Sequence, residues 1–397
     1  MSIDGAAGSP PARVAFYNDP KVRSIAYQVV LCAIIGFLVY GAASNAIENL
    51  RRAHIASGFG FWQRTAGFDI SQTLIPFDSA TSSYGRAFWV GLLNTLLVAG
   101  LGILFATILG FIVGIARLSK NWLVAKTAAG YVETIRNIPL LLQLLFWYNA
   151  VLKALPAIRD SYIIPGGIFL NNRGLFIPDP VFENGFGWVL LALVVGVIGA
   201  VVFYAWARRR QDQTGEQAPV FWIAVALVIG LPFLILALTG FPLDFEFPKA
   251  GRFNIEGGIE ILPELAALLF GLTIYTAAFI AEVVRAGIMA VSRGQTEAAY
   301  SLGLRAGPTL RLIVVPQAMR VIVPPLTSQY LNLTKNSSLA VAIGYPDLVQ
   351  VFTGTVLNQT GQAVEVVAIT MAVYLTISLV TSLLMNVYNS RIALVER

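Results

Sequence analysis

The sequence predicts an all-α membrane protein, a polytopic bundle of transmembrane helices. Of its 397 residues, 57% are hydrophobic and only 12% are charged, and the mean hydropathy is +0.72. Soluble proteins carry about 25% charged residues. Several apolar runs reach roughly 20 residues, which is long enough for a helix to cross a hydrocarbon core of about 30 Å. Helices are expected because they satisfy their backbone hydrogen bonds internally, as lipid demands.

Eight spans follow from these apolar runs. The seventh contains Arg320 and the pair Pro324-Pro325. Such breaks are tolerated where neighbouring helices or an aqueous cavity satisfy the freed backbone groups, so this span is predicted to lie against the translocation path and not to face lipid. Pro139 is predicted to kink or begin the third span. The approximate spans are 25–47, 88–115, 137–155, 187–207, 220–240, 262–286, 310–332 and 364–387.

The distribution of lysine and arginine predicts that both termini are cytoplasmic. These residues favour cytoplasmic connections, and this orientation places 16 of the 27 inside and ten outside, with Arg320 within a span. The predicted organisation is a cytoplasmic tail at 1–24, an N-terminal helix at 25–47, an outer loop at 48–86 and a main transmembrane domain at 87–390. An accessory insertion at about 156–260 contains a helical hairpin, and its first part, 156–186, is predicted to be irregular.

The N-terminal span has an alternative interpretation as a signal peptide, since small residues at 42–46 would suit cleavage. Its apolar run is longer than the usual 7–15 residues of a signal h-region, which favours an uncleaved anchor. The single cysteine, Cys32, lies in this span and excludes an intramolecular disulfide. The net charge of +6 is accounted for by the inner connections, and no basic patch interleaved with aromatics indicates nucleic-acid binding.

Two local patterns concern the connections. In the outer loop, aromatic residues are predicted to sit at the membrane interface; these are Phe59, Phe61, Trp62 and Phe68. In the inner loop at 289–308, Ser292 and Gln295 form a capping-box pattern that predicts a helix of about ten residues from Arg293. Gly303 suits the positive φ just past a helix end, and Pro308 suits the first residue of the next helix.

This inner loop resembles the EAA loop of bacterial ABC importer permeases, the cytoplasmic element that contacts the ATP-hydrolysing subunit. In the segment TEAAYSLGLRAGPTLRLIVVP, the EAA triplet at 297–299 is followed at fixed offsets by Gly303 and by the residues 313–316. The resemblance implies that Glu297, Ala298, Ala299 and Gly303 couple the chain to a partner ATPase. The alternatives are an ordinary helical hairpin and, for Glu297, a solvated first-turn acid favoured by the helix dipole.

The resemblance extends over most of residues 88–155 and 262–390. GLLNTLLVAGLGILFATILGFIVGIARLS, YVETIRNIPLLLQLLFWY, FIAEVVRAGIMAVSRGQTEAAYSLGL, PQAMR and LNLTKNSSLA are similar to segments of polar amino-acid importer permeases of the histidine and glutamine type. Together they imply a type-I permease core of five helices. The extra N-terminal span and the hairpin at 187–240 resemble the longer permeases of general L-amino-acid importers.

The family resemblance also implies partners. These are a second homologous permease, an ABC ATPase dimer, a periplasmic amino-acid-binding protein and an L-amino-acid substrate, in the bacterial inner membrane. The sequence contains no phosphate-binding loop of the G-x-x-x-x-G-K-[ST] type. We therefore expect a transport subunit that is not itself an enzyme and binds no cofactor or metal, with ATP and Mg²⁺ used by the partner ATPase.

Polar residues within spans are costly in lipid and tend to face the bundle or an aqueous path. The predicted substrate-path residues are Asn94, Thr95, Gln143, Gln329, Asn332, Lys335, Asn336, Ser337 and Ser338. Hydroxyls, amides and one cation suit an amino acid's carboxylate; interhelical hydrogen bonding is the alternative. The pairs Glu133–Arg136 and Glu282–Arg285 are predicted to be positioning salt bridges.

Two competing functions remain open at this point. An ATP-independent secondary transporter or channel often has broken midplane helices, as Pro324-Pro325 suggests, but it leaves the EAA spacing unexplained. A membrane scaffold without transport activity leaves the intramembrane polar residues unexplained.

Overall fold

The computed structural model describes residues 20–52, 57–251 and 254–392. Within these ranges seven helices are long and apolar enough to cross a membrane, and a bent helix pair raises the number to eight. The predicted polytopic helix bundle is therefore confirmed. The seven are α1 (Pro20–Arg52), α2 (Tyr84–Ala116), α5 (Phe186–Thr214), the segment Val220–Leu238, α8 (Pro263–Met289), the segment Ala306–Ile343 and α13 (Ala363–Ile392).

The bent pair occupies the position of the third predicted span. Helix α3 (Trp122–Asn137) meets the segment Leu140–Leu152 at 104°. This segment begins directly after Pro139, which confirms the predicted kink, whereas the predicted span 137–155 covers only the second half of the pair. The side-chain amide of Gln143 donates to the carbonyls of Ile135 and Ile138 at 2.9 and 3.0 Å. These bonds satisfy carbonyl groups that the end of a helix leaves free.

Three of the spanning segments change helix type along their length. Leu140–Leu152 consists of α4 (Leu140–Leu145) and a π-helical turn, Phe146–Leu152; Val220–Leu238 consists of α6 (Val220–Val225), a π turn and α7 (Leu231–Leu238). Ala306–Ile343 consists of α10 (Ala306–Thr309), the π turn Leu310–Val314, α11 (Val315–Asn336) and the 3-10 turn Ser337–Ile343. Helix α9 (Arg293–Ser301) joins α8 to α10, and the π turn Val349–Val356 with α12 (Leu357–Thr360) precedes α13.

The bundle is built around α2 and α8, which pack closely because glycines on α2 remove the side chains between them. A Cβ on Gly114 would lie 2.8 Å from the carbonyl oxygen of Ala281, and one on Gly110 would lie 2.5 Å from the Ile280 side chain. Helix α11 packs against α8 and α13 and remains helical through Pro324-Pro325. Its Ile322 and Leu326 are buried, whereas Pro324 and Pro325 are exposed, so one face of the seventh span packs into the bundle.

The outer loop contributes to the core, contrary to its predicted seat at the membrane interface. Phe61 is fully buried and packs among Trp62, Phe88 and Phe352. The side chain of Phe59, by contrast, is 65% exposed. The aromatic content of the loop indicated an interfacial position. The aromatic partners on α2 and near α12 are distant in sequence, so composition alone could not reveal this packing.

The prediction that 156–186 is irregular was wrong. This segment forms four strands, and four more strands follow the helical hairpin. The main sheet has the order β1-β2-β3-β8 with antiparallel pairs throughout. Two short strand pairs, β4–β5 and β6–β7, complete the accessory insertion. The strands are β1 (Tyr162–Ile164), β2 (Ile168–Asn171), β3 (Gly174–Ile177), β4 (Asp179–Phe182), β5 (Leu243–Glu246), β6 (Lys249–Ala250), β7 (Ile255–Glu256) and β8 (Ile259–Ile261).

Two helical parts lie against little of the remaining described structure. The candidate span within α1, Val22–Ala42, buries none of its apolar window. In the accessory hairpin, α5 approaches the π turn before α7 so closely that a Cβ on Gly196 would lie 2.0 Å from the Leu227 carbonyl oxygen. The hairpin therefore packs on itself, and its outward apolar side chains suit contact with lipid.

The N-terminal organisation differs slightly from the prediction. Helix α1 begins at Pro20, so residues 20–24 are helical rather than part of the predicted tail. The remainder of that tail, residues 1–19, lies outside the described residues, as does His54.

Candidate functional site

The predicted coupling segment is a short helix at the C-terminal end of α8. Helix α9 begins at Arg293 after the N-cap residue Ser292, as predicted, and spans nine residues. The predicted side-chain capping bond of Ser292 is absent; the Gln295 N–H donates instead to the backbone carbonyl of Ser292 at 3.1 Å. Helix α10 begins at Ala306, two residues before the predicted start at Pro308.

The turn after α9 has the predicted glycine geometry. Gly303 has φ of 78°, a left-handed conformation that side chains with a Cβ rarely adopt. Its N–H donates to the Tyr300 carbonyl at 2.9 Å, and the Leu304 N–H donates to the Ala299 carbonyl at 3.1 Å. These bonds close the end of α9 and direct the chain toward α10.

The exposed face of α9 differs in one residue from the expectation. Glu297 and Ala298 are exposed, and the side chain of Leu302 is 83% exposed. Ala299 is only 1% exposed. Its small side chain packs inside this chain and is unavailable to a partner ATPase, so the coupling contact assigned to Ala299 is corrected to internal packing.

Helix α9 contacts the N-terminal end of α11. The amide of Gln317 on α11 lies 3.5 Å from the amide oxygen of Gln295 on α9. Ser292, Gln295, Gln317 and Arg320 line a cavity of about 360 Å³ between the two helices. Helix α9 is therefore connected to α11 by a polar contact as well as through the chain.

An ion network joins α2 to α8 above the coupling segment. Glu282 accepts hydrogen bonds from Arg117 on α2 and from Arg285 one turn along α8, the latter at 2.5 Å. The predicted Glu282–Arg285 pair is thus present. The predicted Glu133–Arg136 pair is absent from the described part of the chain, where the Arg136 guanidinium instead lies 5.0 Å from the centre of the Phe279 ring.

A polar cavity of about 340 Å³ lies between α8 and α11, farther from the coupling segment. It unites three predicted substrate-path residues with three that the sequence did not indicate. Within the described structure, the amides of the three predicted residues make no hydrogen bond, so they are free to bind a ligand. The lining residues are Gln329, Asn332 and Asn336 of α11 with Tyr275, Thr276 and Phe279 of α8.

Several other predicted path residues have internal partners instead. Asn94 is fully buried, and its amide donates to the carbonyls of Gln72 at 2.9 Å and Pro346 at 2.8 Å. The hydroxyl of Thr95, also buried, accepts from the Leu348 N–H at 3.0 Å. These residues join α2 to the outer loop and to the chain before α12. Their contacts agree with the alternative of internal hydrogen bonding.

The remaining predicted residues lie at the end of α11 or at the α3–α4 bend. Ser337 is buried and donates to the Thr334 carbonyl, and Ser338 donates to the Lys335 carbonyl. Lys335 is exposed and does not line the polar cavity. Gln143 satisfies the carbonyls at the bend. The cavity thus retains Gln329, Asn332 and Asn336 as the candidate binding residues.

Sequence reasoning missed residues whose roles depend on packing. Tyr275 and Phe279 are four residues apart and share a helix face, a signal that would have indicated a lining stripe. Asp347 is fully buried, and the hydroxyl of Tyr374 on α13 donates to it at 3.2 Å. In the sequence, Asp347 lies in a connection between two helical segments, and a charged residue at such a position is not expected to be buried.

Comparison with known proteins identifies the class of this architecture. Residues 214–394 match the family described as the binding-protein-dependent transport system inner membrane component. The chain is 53% identical over 385 residues to the general L-amino acid transport system permease protein AapQ of Rhizobium johnstonii, covering 97% of this chain and 96% of that protein.

Two further relatives also match over nearly their whole length. The putative amino-acid ABC transporter permease protein YhdX of Escherichia coli is 51% identical, covering 96% of this chain and 97% of that protein. The glutamate/glutamine/aspartate/asparagine transport system permease protein BztB of Rhodobacter capsulatus is 42% identical, covering 99% and 100%. The chain therefore belongs to the amino-acid ABC importer permeases, the inner membrane components of binding-protein-dependent transport systems.

Proposed function

We propose that this permease forms part of an amino-acid path whose opening is driven by ATP hydrolysis on a separate subunit, through α9. The observation that carries the proposal is continuity of structure. Helix α8 lines the polar cavity at Thr276 and ends beside α9, about 20 Å further along at 1.5 Å per residue. Helix α11 lines the same cavity and contacts α9 through Gln317.

The exposed residues of α9 are the proposed ATPase contact. Glu297, Ala298 and Leu302 present a carboxylate, a small side chain and a large apolar side chain outside the bundle. An exposed Leu on a short helix suits insertion into a groove on a partner. Movement of that groove during the nucleotide cycle would shift α9 and, with it, the two helices that line the cavity.

The polar cavity is the proposed amino-acid site. Each of its three side-chain amides offers two N–H donors and one acceptor oxygen, and Tyr275 and Thr276 add hydroxyls. A substrate carboxylate would accept hydrogen bonds from the amides and hydroxyls, while its ammonium group would donate to the amide oxygens. The names of the relatives favour L-amino acids as the substrate class.

The proposed partners would close the polar cavity, supply energy and deliver the amino acid. The polar cavity is open, and Asn332 is exposed at its edge, which suits closure by a second homologous permease. Energy would come from an ABC ATPase dimer that uses ATP and Mg²⁺, and a periplasmic binding protein would supply the amino acid.

The proposed orientation places the termini and α9 in the cytoplasm of a bacterial inner membrane. Contacts among the outer connections support the part of this proposal that sets them on one common side of the membrane. Strand β3 pairs with β8, and Asn94 joins the outer loop to the chain after Ile343. All of these segments were assigned to the outer side from charge alone.

The test is uptake by the reconstituted complex of permeases, ATPase and binding protein in proteoliposomes. We expect accumulation of radiolabelled L-amino acid only with ATP and Mg²⁺ on the α9 side. An ATPase inactivated at its own nucleotide site serves as the control. Equal uptake with the inactive ATPase would contradict the proposal and favour a secondary transporter.

A further inference from the structure

A second cavity, of about 360 Å³, lies at the outer end of the bundle and has no role in the function proposed above. We call it the outer cavity. Its volume falls within the roughly 300–1,000 Å³ typical of small-molecule sites. It is formed where the sheet β1-β2-β3-β8, which we call the accessory sheet, meets the end of the segment Leu140–Leu152 and the first turn of α8. Its charged lining residues are Lys153, Arg173, Glu260 and Glu264.

In the described part of the chain, the two cations and two carboxylates line one cavity without forming direct ion pairs. Within the described residues none of the four takes part in a salt bridge. The ammonium of Lys153 lies 4.3 Å from the centre of the Tyr148 ring, while the hydroxyl of that tyrosine donates to Glu264 at 2.6 Å. One tyrosine therefore holds a cation against its face and a carboxylate at its tip.

The other two charges come from the accessory sheet. Arg173, in the β2–β3 turn, donates to the side-chain oxygen of Asn254 at 2.8 Å. Glu260 lies on β8, opposite Phe176 of β3. Burial raises the pKa of Glu260, opposed by nearby Arg173 and reinforced by nearby Glu264. A carboxylate whose pKa is raised in this way is stabilised in its ionised form by an additional cation.

We infer that the outer cavity binds a free amino acid by its charged backbone groups, with the carboxylate at Lys153 and Arg173 and the ammonium at Glu260 and Glu264. A zwitterion supplies a carboxylate for the cations and an ammonium for the carboxylates, none of which forms a salt bridge within the described residues. Because every α-amino acid carries these groups, the site would not discriminate among amino acids by their side chains. This inference rests on the proposed transport function.

The position of the outer cavity assigns it a step before the polar cavity. Both cavities lie along α8, which contributes Glu264 to the outer one and Tyr275 to the polar one. Eleven residues of helix separate the two positions, about 17 Å. An amino acid released on the outer side would occupy the outer cavity first. The accessory insertion, which supplies Arg173 and Glu260, thereby acquires a function.

The test uses chemical protection in the complete transporter, in a Cys32→Ser background. Asn172 lines the outer cavity, is exposed, and its side chain makes no hydrogen bond within the described structure. The rate at which Asn172→Cys reacts with an impermeant maleimide is measured with L-alanine, with propionate, which lacks the ammonium, or with ethylamine, which lacks the carboxylate. At ten times its Kd, L-alanine should slow labelling roughly tenfold, whereas the other two should not.

Matched variants make the result specific. Lys153→Met and Glu260→Gln should each abolish protection by L-alanine, while Lys249→Met, which removes an exposed charge elsewhere in the insertion, should retain it. Ser57→Cys, outside the cavity, should label at the same rate with and without L-alanine.

Three outcomes overturn the inference: no protection by L-alanine, equal protection by propionate, or protection by the substrate-free binding protein alone. The last would make the cavity a docking surface. ATP-driven uptake by the same preparation separates the hypotheses, because uptake without protection leaves the proposed function standing.

Discussion

Individual side chains divide the predicted polar path into two groups with different physical roles. Asn94 uses both of its donor hydrogens on backbone carbonyls of distant segments, whereas Asn332 has an unused amide in an open cavity. Both residues are asparagines within apolar spans, so the sequence pattern alone does not distinguish their roles. Their partners differ because the first is fully buried at the meeting of three segments.

The first residue-scale prediction contrasts these two asparagines. Asn94→Ala removes the donor from the buried carbonyl of Pro346 and from the half-buried carbonyl of Gln72. A buried group left unsatisfied costs about 1–3 kcal/mol, so we expect a clearly lowered Tm of the purified complex. Asn332→Ala should leave the Tm unchanged. It should raise the amino-acid concentration for half-maximal uptake by roughly two- to tenfold, the equivalent of one lost hydrogen bond.

Thermal unfolding of both variants, together with uptake kinetics, provides the measurement. An unchanged Tm for Asn94→Ala would contradict the structural role of Asn94 and favour its predicted role as a substrate contact. A lowered Tm for Asn332→Ala, with unchanged uptake, would show that Asn332 stabilises the fold and does not contact the substrate.

At the scale of elements, local chemistry was predictable and long-range pairing was not. The start of α9 at Arg293 and the positive φ of Gly303 follow from neighbouring residues. The accessory sheet was missed because β3 pairs with β8 across the entire hairpin, and each strand is too short to show a clear alternation. Ala299 was assigned to the wrong surface for a related reason, since helix periodicity shows which residues share a face but not what covers it.

The element-scale prediction concerns the turn after α9. A Cβ at Gly303 would meet no atom within 4 Å, so substitution acts only through the backbone. A left-handed conformation costs an L-residue about 1–2 kcal/mol, and more for a β-branched side chain. We expect Gly303→Val to reach the membrane but to lose most uptake and most stimulation of ATP hydrolysis by the loaded binding protein.

The control is Gly130→Val on α3, where an added Cβ also meets open space and φ is not positive. It should retain uptake and stimulated hydrolysis. Membrane abundance and co-purification of the subunits are measured with both variants. Normal stimulation in a well-expressed Gly303→Val complex would show that α9 is only a connector.

At the scale of the whole molecule, the predicted orientation and the folded contacts come from independent observations. Charge counting placed the outer loop, the accessory sheet and the chain near Gly344 on one side. The structure brings Ser71, Arg173 and Gly344 together around one cavity. Segments on opposite sides of a membrane of about 30 Å could not meet in this way, so an even number of crossings must separate these connections.

Cysteine labelling distinguishes the cytoplasmic from the periplasmic connections. Ser57→Cys lies at the start of the described outer loop and Gln213→Cys near the end of α5, and both positions are exposed. In a background without Cys32, an impermeant maleimide added to intact cells should label Ser57→Cys and spare Gln213→Cys. Permeabilised cells should label both, which controls for reactivity. Labelling of Gln213→Cys from outside, with Ser57→Cys silent, would invert the molecule, place α9 away from cytoplasmic ATP, and contradict the proposed coupling.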